Sequence, residues 1–197
     1  MDLSKFIRPE HSFVGVQAAA KWRALEMIAS IASTAFGVDG PALLRALESR
    51  ENLGSTGCGN GIAIPHAAIE GMTSPRGVLV RFGHPLDFQA VDDIPVDVAV
   101  LLLFGEANRG EYLNVLSSIA RQLRSKDVLR AMRTARTAEE MYASLSDRMG
   151  GEIMAEPTRE PAKAMISSCS LRLVMRVHNV AARHRFNSRN GSMLRRV

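Results

Sequence analysis

Apolar positions along the chain switch between two spacings, and the switching predicts an alternating α/β order. Leu25, Ile28, Ala29, Ala32 and Phe36 recur at helical spacing, and Pro41 to Ser49 forms a second short helix opened by proline. Ile62-Ala-Ile64 reads as a short strand that Pro65 ends. Val78, Val80 and Phe82 then alternate as in a half-buried strand, whereas Val96 to Phe104 is a nearly unbroken apolar run that suits a central strand covered on both faces. Leu113, Leu116, Ala120 and Leu123 line one side of a helix, and two shorter helices follow at 126–134 and 138–146. That order predicts a single α/β domain, a mixed sheet flanked by helices on both faces.

From Met149 the periodicity fails, and Pro157, Pro161 and scattered arginines take its place. Charge marks the same boundary: residues 1–148 carry 16 Lys+Arg and 17 Asp+Glu, whereas 149–197 carry 9 and 3. The predicted organisation is therefore a domain over 1–148 and a basic, disordered extension over 149–197. A sharper reading makes the extension an arm for an acidic surface, a membrane lipid or nucleic acid. The net charge of +5 belongs to this tail, so nucleic-acid binding by the main domain has no electrostatic footing.

Composition changes little else. A 46% hydrophobic share of 197 residues is enough for one packed domain. Cys58 and Cys169 make no disulfide framework, no stretch approaches the roughly 18 apolar residues of a membrane span, and Met-Asp-Leu-Ser-Lys is no signal-peptide start. These features lead to the expectation of a cytoplasmic protein with no membrane span.

The candidate chemistry is concentrated in Ser55-Thr-Gly-Cys-Gly-Asn-Gly-Ile-Ala-Ile-Pro-His66, a glycine-rich loop without carboxylates that ends on one histidine. Glycines 54, 57, 59 and 61 allow positive φ and a close backbone approach to an anion. A neutral imidazole is a nucleophile near pH 7, since its ordinary pKa is about 6.5. With one ring nitrogen donating to a carbonyl or hydroxyl, the other presents a lone pair to a phosphoryl group. In this reading His66 stands at a strand terminus beside exposed amides. Ser55, Thr56 and nearby amides stabilise phosphoryl oxygens, and Arg50 supplies a planar fork for phosphate.

Other loops with glycines fit less well. A dinucleotide fingerprint follows a strand and opens a helix, whereas these glycines follow a helix and open a strand. A Walker A loop needs a lysine, and none lies between Lys21 and Lys126. Cys58 with His66 lacks further spaced zinc ligands. The plainest competitor is a tight turn with a buried, satisfied histidine. Asp92-Asp93 reads as a solvated turn.

Residues 54–66, the helical stretch Lys21-Trp-Arg-Ala-Leu-Glu-Met-Ile-Ala29 and Pro85-Leu-Asp-Phe-Gln-Ala-Val-Asp-Asp-Ile-Pro-Val-Asp97 resemble the fructose/mannitol/nitrogen-type enzyme IIA of the bacterial phosphotransferase system. The likeness spans residues 1–147, the glycine-rich loop is its most specific part, and the nitrogen-regulatory branch is nearest. It implies a phosphorelay protein in which His66, through Nε2, takes a phosphoryl group from a histidine-containing phosphocarrier protein. In the nitrogen branch the phosphorylation state regulates targets such as potassium-transport proteins or sensor kinases. In sugar-transporting branches the group passes to a IIB domain. Neither a metal nor another cofactor is implied. One departure stands out: the position matching the family's second active-site histidine is Tyr112, in Glu111-Tyr-Leu-Asn114. Its phenol can donate a hydrogen bond to a phosphoryl oxygen, but it cannot act as imidazole does. Alternatively it packs by its ring. The alternatives to a regulatory relay are a non-catalytic binding module on the same fold and a sugar-transport enzyme IIA.

Overall fold

The computed structural model describes residues 6–106 and 109–146. Its organising element is the apolar run, which forms strand β6 (Val96–Gly105) at the centre of a six-stranded mixed sheet. The sheet runs β1 (Ser12–Val16), β5 (Arg76–Leu86), β6, β3 (Ile62–Ala63), β2 (Gly57–Gly59), with β4 (His66–Ile69) also paired to β6. Strands β3 and β4 lie end to end along β6, Ile62 opposite Val98 and His66 opposite Leu102, both parallel to it.

Both faces of β6 are covered, as its unbroken hydrophobicity requires. Ala99, Leu101 and Leu103 pack into one cluster with Val78 and Val80 of β5, Ala24, Leu25 and Ile28 of helix α1 (Lys21–Phe36), and Leu43 and Leu47 of α2 (Gly40–Asn52). The alternate residues Val98, Val100 and Leu102 are equally buried, on the face that α3 (Arg109–Gln122) covers. Helices α4 (Lys126–Thr134) and α5 (Ala138–Ser146) follow with the boundaries that the apolar spacing predicts. Buried Val128, Leu129 and Met132 give α4 its apolar side.

Three local differences from the sequence expectation have physical causes. Strand β5 is covered on both faces rather than half-buried, because Gly77 and Leu79 are buried together with Val78, Val80 and Phe82. Strand β1 has no counterpart in the apolar spacing. It is a short edge strand with Gly15 at φ 77° and a register shift between Val14 and Val16, features that erase a two-residue period. Helix α2 starts one residue before Pro41, where the Asp39 carboxylate accepts the Ala42 N–H at 3.1 Å, and it runs past Ser49 to Asn52. That extra turn carries Arg50 and Glu51 into the helix and buries both. The extension from Met149 lies outside the described residues. Among the described residues no helix is long and apolar enough to cross a membrane.

Candidate functional site

The glycine-rich segment folds as a β-hairpin. Asn60 and Gly61, at φ 56° and 75°, form the two-residue turn between β2 and β3. Asn-Gly is the dipeptide that such a turn favours, so the hairpin was legible at residues 60–61. The glycines meet protein groups, not an open anion cradle. A Cβ on Gly57 would stand 2.8 Å from the Ala90 Cβ, and one on Gly61 would stand 2.5 Å from Arg133 Nη2. The turn is clamped from two sides. Asp92 accepts the Asn60 N–H at 2.7 Å, and Arg133 of α4 donates to the Asn60 carbonyl at 2.7 Å while gripping Asp97 through Nε and Nη2 at 2.7 and 2.8 Å. Asp92 thus lies in a turn, as expected, and also holds the hairpin in place.

Pro65 does not end the strand run. It joins β3 to β4, offers no N–H, and its carbonyl accepts from Leu102 N at 2.9 Å. His66 is consequently the first residue of a new strand, and its side chain is only 4% exposed, not set among exposed amides. Strand alternation sends Ala67 into the α1/α2 core and His66 to the opposite face, where Tyr112 and Phe104 lie.

Two contacts fix the chemistry of this imidazole. Nδ1 lies 2.8 Å from the Ile64 carbonyl, which only accepts, and Nε2 lies 2.8 Å from Arg50 Nε, which only donates. A single neutral tautomer satisfies both: the proton is on Nδ1 and the lone pair on Nε2. Burial, and after it the Arg50 charge, push the His66 pKa down to about 3 against the opposing pull of the Ile64 hydrogen bond. Near neutral pH the ring is therefore neutral, with its unprotonated nitrogen Nε2 pointed at a guanidinium. Arg50 is further held by its Nη1 bond to the Gly54 carbonyl at 2.9 Å.

Ser55 and Thr56 sit beside this pair, but their single hydroxyl protons point elsewhere. Ser55 Oγ donates to the Phe88 carbonyl at 2.6 Å and accepts Gly57 N–H at 3.0 Å. Thr56 donates both its Oγ1–H, at 2.7 Å, and its N–H, at 3.0 Å, to Glu51 Oε2. In this geometry neither hydroxyl is aimed at His66, and both brace the loop that carries it. The Tyr112 ring stacks on Phe104, centroids 3.9 Å apart, and stands 5.5 Å from the His66 ring. Burial raises its phenolic pKa, opposed by the Arg50 charge, so the hydroxyl keeps its proton.

The brace includes residues that the pattern of the sequence did not single out for the site. Glu51, 3% exposed, faces Lys21 Nζ at 3.4 Å through its second oxygen, and Lys21 also donates to Gln89 Oε1 at 2.7 Å. This buried ion pair joins the start of α1, the end of α2 and the segment after β5 behind the loop. No local signal marks this cluster, because Lys21 and Glu51 are 30 residues apart and Glu51 and Gln89 are 38 apart.

Residues 5–148 match the family described as phosphoenolpyruvate-dependent sugar phosphotransferase system, EIIA 2. The chain is 39% identical over 151 residues to a nitrogen regulatory protein of Pseudomonas aeruginosa, a match covering 76% of this chain and 98% of that one. With a nitrogen regulatory protein of Escherichia coli the identity is 36% over 151 residues, covering 76% and 93%. The crystal structure of nitrogen regulatory protein IIA-Ntr from Neisseria meningitidis superposes with a TM-score of 0.69 at 31% identity, over 73% of this chain and 98% of that one.

Proposed function

The chain belongs to the EIIA 2 family of the phosphoenolpyruvate-dependent phosphotransferase system, and on that premise we propose that it is a regulatory phosphorelay protein with His66 as phosphoryl acceptor. The likeness to nitrogen regulatory proteins favours regulation of partner proteins over delivery of phosphate to sugar. The donor is a histidine-containing phosphocarrier protein and the setting is the cytoplasm. Targets of the potassium-transport or sensor-kinase kind fit the same reading.

The observation that carries it is the fixed tautomer of His66. The Ile64 carbonyl holds the Nδ1 proton, so Nε2 presents its lone pair without a separate base. In the transfer, Nε2 attacks the phosphorus of the donor's phosphohistidine. A new N–P bond forms as the donor's N–P bond breaks, and the donor imidazole leaves with its electron pair. Arg50 Nε, now on Nε2, has to release that nitrogen, and the guanidinium then meets the phosphoryl oxygens as a fork. Its hold on the Gly54 carbonyl keeps it within reach. Ser55 and Thr56 act by bracing the loop, and Tyr112 stands beside the His66 ring.

The test is intact-mass spectrometry after incubation with phosphoenolpyruvate, the first enzyme of the relay and its phosphocarrier. An acid-labile gain of one phosphoryl mass is expected for the wild type and is absent from His66→Ala. No gain under conditions that load a known member of the family would sink the relay reading and leave a module that signals by contact alone.

A further inference from the structure

Tyr112 has more to do at this site than border it. Its ring is fixed between two partners, parallel to Phe104 of β6 within 25° and tilted 43° against His66 of β4. The charged or titratable groups that face it are Arg50 from α2, Cys58 from β2 and His66 itself, and Phe104 adds none. Its phenol keeps its proton through the physiological range, so beside the His66 ring it can donate a hydrogen bond but cannot take up a proton.

A phosphohistidine has two fates. A partner's nucleophile can take the phosphoryl group, or water can. In the second case a water oxygen attacks phosphorus, the N–P bond breaks, its electron pair returns to Nε2, and inorganic phosphate leaves once the water has lost a proton. Hydrolysis therefore needs room for water at the phosphorus and is helped by a nearby base. An aromatic ring stacked in place denies the room, and a protonated phenol denies the base. Resting on the acceptor reading of His66, we infer that Tyr112 sets the lifetime of the phosphoryl group there, its ring acting as an inert cover against water. Such a cover suits a protein whose phosphorylated form is a signal that has to persist.

The experiment loads the full chain through the relay proteins, removes them and phosphoenolpyruvate, and follows loss of the phosphoryl mass over time at about pH 6, 7 and 8. Wild type is compared with Tyr112→Phe, Tyr112→Ala and Tyr112→His, each normalised to its own starting load. Tyr112→Phe keeps the ring and should decay within about twofold of wild type, whereas Tyr112→Ala should decay about tenfold faster. Tyr112→His, with an imidazole that titrates near about pH 6.5, should decay faster and gain a component that rises with pH, opposite in sign to the acid lability of the wild type. Equal lifetimes for Ala and wild type overturn the inference, as does a Phe variant that decays as fast as Ala. If Tyr112→Ala does not fold, a Tyr112→His decay that matches wild type at every pH overturns it in the same way. A wild type that never loads overturns the acceptor reading instead.

Discussion

The two sides of β4 differ sharply although adjacent residues face them. Ala67 enters an apolar cluster shared by α1, α2, β5 and β6, while His66 turns to a pocket where each neighbour is committed to a particular polar partner or ring stack. Apolar packing is non-directional, so the core distributes its stabilisation over many contacts. The polar side depends on specific pairs, and removing one member leaves the other buried without compensation. The core accordingly carries most of the folding free energy, and the polar cluster fixes the orientation and tautomer of His66.

Removing Glu51 should break that distinction most strongly. Glu51→Ala strands buried Lys21 and frees both Thr56 donors, which should cost about 3–5 kcal/mol and also lower phosphoryl uptake per folded molecule. Chemical denaturation alongside the mass assay checks both, and normal uptake would show that the brace serves stability alone. Leu101→Ala, in the apolar cluster, should cost about 3 kcal/mol and leave uptake per folded molecule unchanged. Parallel losses in stability and uptake would erase the contrast between the two sides.

Counted per pH unit, a smaller effect comes from acid. His66 titrates near 3 in the folded state and near its ordinary 6.5 in the unfolded chain. Below pH 6.5 the unfolded chain therefore binds the extra proton, and stability falls with falling pH by up to about 1.4 kcal/mol per unit. The loss continues down to about pH 3, and above pH 6.5 this term is flat. Replacing His66 by Asn should flatten the acid limb of a stability–pH curve, and an unchanged limb would assign it to other groups. The smallest effect concerns the basic extension. Chain ending at residue 148 should match the full chain in denaturation midpoint and phosphoryl uptake, and a loss of cooperative folding would show that the extension belongs to the domain.

The parts legible in the sequence follow from periodicity. The central strand, α1 and the two short helices α4 and α5 announce themselves by runs and spacings that only one kind of burial satisfies. His66 and Arg50 were legible because glycines, hydroxyls and a guanidinium clustered around one imidazole, and the structure brings the two together at 2.8 Å. The Lys21–Glu51 pair, the Asp92 clamp and the Arg133–Asp97 grip were not, since each rests on a fold-made contact between residues far apart in sequence. The hydroxyls of Ser55 and Thr56 show the converse. Their chemistry suggested phosphate, and only coordinates reveal that Phe88 and Glu51 have already engaged them.

His66 is paired with Leu102, and the hairpin that leads to it is gripped by Arg133. A ribosome therefore makes His66 before it makes the strand that seats it. Contacts this distant in sequence form late, after the intervening chain has been supplied and its closure entropy overcome. While still nascent, the histidine already has Arg50 and Ile64 behind it in the chain, but the strand that seats it has not yet paired. On the proposed reading, the geometry that would make His66 an acceptor is thus complete only once β6 and α4 are in place.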